Sequence, residues 1–335
     1  MRRSPTLADV AREAEVAIST VSRAFSNPNR VNARTREHIL EVADRLGYRP
    51  NELARALESG QTRTLGLLVS DITNPHFFGL IRGAEQQTAT VGYTLILADT
   101  QQSSETELKV IDRTSSFVDG FVLAASRLPN DRLAATINHK PVVLVNRELS
   151  GVSSVVTDHV DGPRQVVEHL HSLGHRRVVF LGGPRESWSG ATRWAAVREA
   201  ARALGIKATL LGPFTPSIQG GPAAADAAIG TGATAVIAHN DLLAIGALRR
   251  FAERRIRVPA DLSIVGFDDI FGADFCTPPL TTLSGPLEAV GRTAVDLVLS
   301  SLHQSGRTST RQLRAPAHLV IRGSTGPAVN ETAHC

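Results

Sequence analysis

Two groups of residues in this 335-residue chain have types and spacings suited to recognition chemistry. The first is Ile18, Ser19, Ser22 and Arg23, which fall on one face of a short predicted helix whose other face carries Val21, Ala24 and Phe25. Small hydroxyls beside an arginine suit base edges and phosphates, because a guanidinium fork matches both acceptor pairs and hydroxyls bond to either. The second group stands where predicted strands end: Asp71, Asn146 with Arg147, Ser187-Trp188-Ser189 with Arg193, Asn240-Asp241, and Asp268-Asp269. Carboxylates, amides, arginines and one aromatic face, brought to one place, suit the hydroxyls and CH faces of a sugar. Each of these residues alone also suits a helix cap, Asp71 and Asp241 above all.

The elements that would position the first group are three short helices. Thr6 caps the first, with Asp9 three positions on as a capping-box partner, and Leu7, Val10, Ala11 and Ala14 form its apolar stripe. After Glu15-Val16-Ala17 comes the helix of Ile18 to Phe25. A third, capped by Asn32 and stopped at Gly47, turns Ile39, Val42, Ala43 and Leu46 inward. This is the spacing of a helix-turn-helix, although a three-helix cap or dimerisation module would share its periodicity. Asn51 to Gly60 then reads as a two-turn helix, too short to stand alone in water.

The second group belongs to an alternating α/β body. Residues 64–70, 93–98, 120–124, 141–145, 154–157, 177–181, 235–238 and 262–266 read as strands. Helices such as 77–91, 162–173, 192–204 and 242–254 lie between them. Near-continuous apolar strands joined by helical crossovers imply doubly wound parallel sheets, and the strand count implies two of them. In such sheets ligands bind beyond the carboxyl ends of the strands.

The formal net charge is +4. Residues 1–63 carry 11 Arg against 8 acidic residues, so most of the excess sits with the helical module, as phosphate binding requires. The two cysteines, Cys276 and Cys335, are too few for a disulfide framework or a zinc site. No apolar run follows Met-Arg-Arg and none reaches a membrane span, so a soluble cytoplasmic protein without signal peptide or membrane partner is expected.

The strings Thr-x-x-Asp-Val-Ala, Thr-Val-Ser-Arg, Thr-Arg-Glu and Gly-Tyr-Arg-Pro-Asn-x-x-Ala-Arg-x-Leu cover residues 6–60 and resemble the headpiece of the LacI/GalR family of bacterial transcription regulators. Asp-Ile-Thr-Asn-Pro-His-Phe-Phe, Leu-Gly-His-Arg-Arg, Asn-Asp-Leu-Leu-Ala-Ile-Gly-Ala and Asp-Leu-Ser-Ile-Val-Gly-Phe-Asp resemble its periplasmic-binding-protein-like core. The resemblance implies a headpiece over 1–50, a hinge helix over 51–60, a two-lobed effector-binding and dimerisation core over 61–323, and a flexible tail over 324–335. It implies a homodimer on a pseudo-palindromic operator in double-stranded DNA. Ser19 and Arg23 would read bases and Ile18 make an apolar contact, while Thr20, Ser22, Arg30, Asn32 and Thr35 hold phosphates. The hinge would add Asn51, Ala54 and Leu57, with Leu57 wedged between base pairs in the minor groove. Behind any other module the same segment would read as a helical linker with Leu57 packed on the core.

For the effector the resemblance carries over His76, Phe77, Arg147, Trp188, Arg193, Phe214, Asn240 and Asp268. Asp268 would accept hydroxyl hydrogens while Arg193 and Arg147 donate; Phe77 and Phe214 equally suit a core. The expected behaviour is a repressor released from DNA by a small sugar, with no cofactor and no metal. The alternatives are a regulator co-repressed by a purine, nucleoside or sugar phosphate, and a sugar-binding protein without a regulatory role. A serine at 187, where the purine-binding branch has arginine, argues against a purine. The family usually has Gly where Glu15 stands and Ser where Ala17 stands, so this headpiece is expected to be looser than its relatives. After Arg193 the family's Gly-Phe is replaced here by Ala196-Val197.

An enzyme is not expected. No Gly-x-Gly-x-x-Gly follows a strand into a helix, and no Walker Gly-Lys-Ser/Thr, His-Glu-x-x-His or Gly-x-Ser-x-Gly is present. His169, His171 and His175 read as surface residues around a helix end rather than metal ligands. The tail lacks the heptads of a tetramerising zipper.

Overall fold

The computed structural model describes residues 5–49, 61–137, 139–303 and 310–329. The 51–60 segment, and with it Asn51, Ala54 and Leu57, lies outside the described residues, as does Cys335. The chain divides into two units, Met1–Thr62 and Arg63–Cys335.

The first unit holds α1 (Leu7–Glu13), α2 (Ile18–Ser26), a 3₁₀ turn (Pro28–Arg30) and α3 (Ala33–Leu46). Thr6 and Asp9 form the reciprocal capping box on α1, and Asn32 caps α3 by accepting from the Arg34 N–H at 3.0 Å. Gly47 ends α3 with a left-handed φ of 68°, which its missing Cβ allows. Val10, Ala11, Ala14, Val21, Ala24, Ile39, Val42, Ala43 and Tyr48 make one small core, with Leu7, Phe25 and Leu46 packed on it.

Both family departures leave a physical mark here. Glu15 sits in the turn with φ 52°, a conformation that favours glycine, and Ala17 stands at the α2 N-cap with no side chain to bond the first-turn N–H groups. Glu15→Gly and Ala17→Ser should each stabilise the turn by about 1 kcal/mol. Hydrogen exchange of α2 amides in the full chain should slow about fivefold for each change; unaltered exchange would mean that neither position limits α2.

The second unit contains two six-stranded sheets. One is ordered β11-β5-β4-β3-β1-β2, from β1 (Thr64–Val69), β2 (Thr94–Asp99), β3 (Gly120–Ala124), β4 (Val142–Val145), β5 (Ser153–Thr157) and β11 (Gln312–Ala315). The other is ordered β12-β10-β9-β8-β6-β7, from β6 (Arg177–Leu181), β7 (Lys207–Leu211), β8 (Ala235–Ala238), β9 (Ser263–Phe267), β10 (Thr281–Ser284) and β12 (His318–Val320). Every pairing is parallel except β10 with β12. The apolar strands β1, β3, β4, β6, β8 and β9, buried along all or nearly all of their length, lie inside the sheets, as covering on both faces demands.

In the first lobe α4 (His76–Thr90), α5 (Ser104–Thr114) and α6 (Asn130–Ile137) connect strands. In the second α7 (Asp161–Ser172), α8 (Trp188–Ala203), α9 (Gly221–Ile229) and α10 (Asp241–Glu253) do so. α11 (Leu287–His303) returns to the first lobe and packs against α4, where a Cβ on Gly83 would come within 2.0 Å of the Glu288 carbonyl oxygen. The chain therefore passes between lobes three times: after β5, after β10 and between β11 and β12.

The tail expected to be flexible from 324 is built into the second lobe as far as residue 328. Ser324 is fully buried; its hydroxyl accepts from the Thr281 N–H at 2.8 Å and donates to the Ile264 carbonyl at 2.6 Å, and the Ala328 N–H donates to the Leu173 carbonyl. These bonds supply partners that β9 and β10 would otherwise lack at that edge. His175 is likewise not at the surface: it is buried, its Nδ1 2.8 Å from the Thr234 hydroxyl and its Nε2 3.0 Å from the Ser263 hydroxyl.

Candidate functional site: a helix face and an inter-lobe cleft

Burial of Val21 and Ala24 in the headpiece core turns the opposite side of α2 outward. Ile18 is 55% exposed, Ser19 and Arg23 are exposed, and Thr20 and Ser22 are half-buried. Arg30 and Asn32 are exposed on the following turn and Thr35 is half-buried at the start of α3. An exposed isoleucine beside an arginine and hydroxyls gives this face the apolar, donor and acceptor groups that can read a groove.

The second site is assembled at the strand ends of the larger unit. β1 delivers Ser70 and Asp71, and Asn74 then accepts from the His76 N–H at 3.0 Å as α4 begins. β4 delivers Asn146, whose amide Nδ2 lies 3.1 Å from His76 Nε2. From the other lobe come Arg193 on α8 and Asp268 after β9. The Arg193 guanidinium donates to the His239 carbonyl at 2.8 Å and to Asp268 Oδ1 at 3.2 Å, and lies 4.7 Å over the Phe267 ring. His76 Nδ1 stands 3.3 Å from the same Asp268 oxygen, so that carboxylate joins the lobes. Asn146 (φ 55°) and Asp268 (φ 117°) both adopt left-handed backbone conformations at their strand ends. Such strain persists only where the surroundings enforce it, and it collects at binding sites.

A cavity of about 50 Å³ lies among Ser70, Asp71, His76, Phe77, Gln102, Arg127, Asn146, Ser189, Arg193, His239, Asn240 and Asp268. Polar atoms on its walls are buried without a hydrogen-bond partner, among them Arg127 Nε, Arg193 Nε and His239 Nδ1, with His159 Nε2 nearby. Three histidines here are held neutral. Burial lowers the pKa of His76 against the pull of Asp268; burial and then Arg193 push His159 well down; and His239 falls to about 3 through burial, then Arg193, Arg127 and His76. The His239 ring lies against Gly183, where a Cβ would approach it to 2.7 Å. Among the described residues no group of three or more His, Cys, Asp or Glu could hold a metal ion.

Of the eight expected effector contacts, His76, Phe77, Arg193, Asn240 and Asp268 line this cavity. Phe77 is also core, and the Asn240 amide is held at both ends, accepting from the Leu243 N–H as the cap of α10 and donating to the Pro216 carbonyl at 3.1 Å. Arg147 is not a cavity residue: its guanidinium donates to the carbonyls of Ser126 and Leu128 and to Asn130 Oδ1, holding the 126–130 loop. Trp188 begins α8 and meets His159 edge-on at 5.7 Å, and Phe214 packs partly buried on the second lobe's core; neither lines the cavity. Asp71 forms a turn with Thr73, and buried Asp241 accepts from the Ile270 N–H and the Thr282 hydroxyl. Val197, in the departure after Arg193, is fully buried, and Trp194 packs on Phe180 at 5.8 Å.

Sequence reasoning missed Arg127, His159 and His239. All three follow strand ends, β3, β5 and β8, so the rule that singled out Asn240 would have found them one or a few residues away.

Comparison with known proteins decides the family. The profile "Bacterial regulatory proteins, lacI family" matches residues 6–51, and "Periplasmic binding protein-like domain" matches 167–325. The HTH-type transcriptional repressor CytR of Escherichia coli (strain K12) is 33% identical over 330 residues, spanning 96% of both chains. The chain belongs to the LacI family of bacterial regulatory proteins. Its fold matches the lac repressor dimer bound to operator and an anti-inducer with a TM-score of 0.86 at 27% identity, over 97% of this chain and all of that one. It also matches a complex of the transcriptional regulator CelR with cellobiose, with a TM-score of 0.71 at 29% identity, over 96% and 99% of the two chains. This LacI-family chain is thus a DNA-binding transcription regulator, and its relatives are regulators, not enzymes. Among the described residues no helix is long and apolar enough to cross a membrane.

Proposed function

We propose that this chain is a homodimeric repressor that holds a pseudo-palindromic operator and is released by a small sugar bound between its lobes. The observation that carries the reading is the cleft itself. His76 and Asn146 from one lobe meet Arg193 and Asp268 from the other, with unpartnered buried polar atoms on both sides. A ligand shifts a conformational equilibrium only through contacts that differ between its states, and a cleft with walls on two lobes offers such contacts. Asp268 accepts hydroxyl hydrogens and Arg193 donates to ring or hydroxyl oxygens. The cellobiose held by CelR, a regulator of the same fold, supports a carbohydrate. Phe271 and Phe275, 65% and 77% exposed and 6.1 Å apart, form an apolar patch suited to a second copy.

On DNA, Ser19 and Arg23 read bases with Ile18 against an apolar edge, while Thr20, Ser22, Arg30, Asn32 and Thr35 hold phosphates; two-fold symmetry doubles the half-site. Arg23→Ala should cost about 1–3 kcal/mol on the operator and relax specificity at one base pair per half-site. Selection of operators from random DNA, followed by anisotropy titrations with mono- and disaccharides, tests the whole reading. Release by a sugar supports it. Tighter binding with a purine or nucleoside would replace it with co-repression, and an equal loss for Arg23→Ala on all sequences would reduce Arg23 to a phosphate contact.

A further inference from the structure

The cleft presents more cationic donors than its own acceptors satisfy. Arg193 is matched by Asp268, yet its Nε is buried without a partner. Arg127 enters from the other lobe, three residues beyond the end of β3. Its backbone N–H donates to the buried Glu107 carboxylate at 2.9 Å, but its guanidinium makes no ion pair among the described residues and its Nε too is buried and unpartnered. Both Nε–H groups can only donate. Of the carboxylates nearby, Asp71 accepts from the Thr73 N–H and hydroxyl, Glu107 accepts from the Arg127 N–H, and Glu186 is exposed; the two glutamates attract the Arg127 guanidinium but neither forms an ion pair with it.

We propose that the effector is an acidic carbohydrate, a polyhydroxy body bearing a carboxylate or phosphate, and that Arg127 binds its anionic group while Arg193 and Asp268 hold its hydroxyls. This rests on the reading of the cleft as a carbohydrate site and names the chemistry that site selects. Arg127 is half-buried with its Nε withdrawn from water; such a donor is costly unless charged oxygens return what it lost, and the guanidinium fork fits a carboxylate or phosphate in two parallel bonds. The neutral histidines around it cannot supply that charge. Arg193 and Arg127 both face the His239 ring, and after burial they are what holds its pKa down. Stacking contributes little by comparison, because Phe77, the one aromatic ring on the cavity wall apart from the imidazoles, is packed into its own lobe.

Calorimetric titration of the full chain with two series decides the matter: D-glucose, D-gluconate, D-glucuronate and D-glucose 6-phosphate, then D-ribose, D-ribonate and D-ribose 5-phosphate. In one series an anion should bind about tenfold or more tighter than its neutral parent. That preference should vanish in R127Q and return in part in R127K. Whether the acid or the phosphate is preferred identifies the anionic group. A neutral parent that binds as tightly as its anions, or a preference that survives R127Q, overturns the acidic-carbohydrate inference and leaves the carbohydrate reading standing. Binding of no member of either series overturns both. Should neither variant fold, the wild-type ratio of acid to neutral parent alone decides.

Discussion

Arg193→Met should destabilise the two-lobed unit by about 3–5 kcal/mol, because it strands the Asp268 carboxylate inside the protein. The side chains of Arg193 and Asp268 are only 8% and 5% exposed, so solvent does little to screen what is left. Arg193→Lys should recover little. One ammonium cannot reach both the His239 carbonyl and Asp268 while lying flat over the Phe267 ring, as the guanidinium does. Adding Asp268→Asn to Arg193→Met should return much of the loss, since the buried charge is then gone along with its partner. Urea denaturation of the two single variants and the double variant closes the cycle. Additive losses would show that the two side chains are not coupled, and the cleft would lose its central ion pair as an organising contact.

The same pair shows how much of the site could be read from the chain. Arg193 and Asp268 stand beside buried strand ends, and a parallel sheet sends its ligands there, so both were legible. Arg147 stands apart from the cavity for a reason at the scale of one residue. It follows the same strand as Asn146, but only Asn146 reaches the cavity, while Arg147 finds three acceptors in the 126–130 loop. Nothing in the types of two adjacent polar residues tells which will face the ligand. The headpiece was legible throughout because its caps and apolar stripes are local, from Thr6 and Asp9 to Gly47. Most strands buried on both faces carry apolar runs that announce them. Four strands were missed: β7, β11 and β12 are half-exposed edge strands of only three to five residues that include lysine, arginine or histidine, and β10 is an interior, buried strand that reads Thr-Thr-Leu-Ser and so shows no apolar run. Their assignment comes from neighbours distant in sequence, as when β11 pairs with β5 across more than 150 residues. The packing of residues 324–328 has the same origin: Ser324 has no local pattern, only two partners on β9 and β10 that need it.

Lowering the pH from 7 to 5 should remove about 2 kcal/mol of the stability that His239 contributes as a neutral group. In the folded unit its pKa is held at about 3, by burial first and then by Arg193 and Arg127, against an ordinary value of 6.5. The unfolded chain therefore takes up a proton on this residue below pH 6.5 while the folded chain does not, and acid favours unfolding. The contribution is complete above pH 6.5 and is lost progressively down to about pH 3. His76 and His159 are lowered as well and act in the same direction. Asp241 and Glu107 act against them: burial raises both carboxyl groups, so each is a burden at neutral pH that acid relieves. The net slope of the wild type mixes these terms, and a difference between chains separates them. His239→Asn removes one titrating group while keeping a polar side chain beside Gly183. The stability gap between wild type and His239→Asn, from urea titrations at pH 7, 6 and 5, should narrow by about 2 kcal/mol over that range. Parallel pH profiles would show that His239 titrates alike in the folded and unfolded chains, and that the cleft does not exclude a third positive charge.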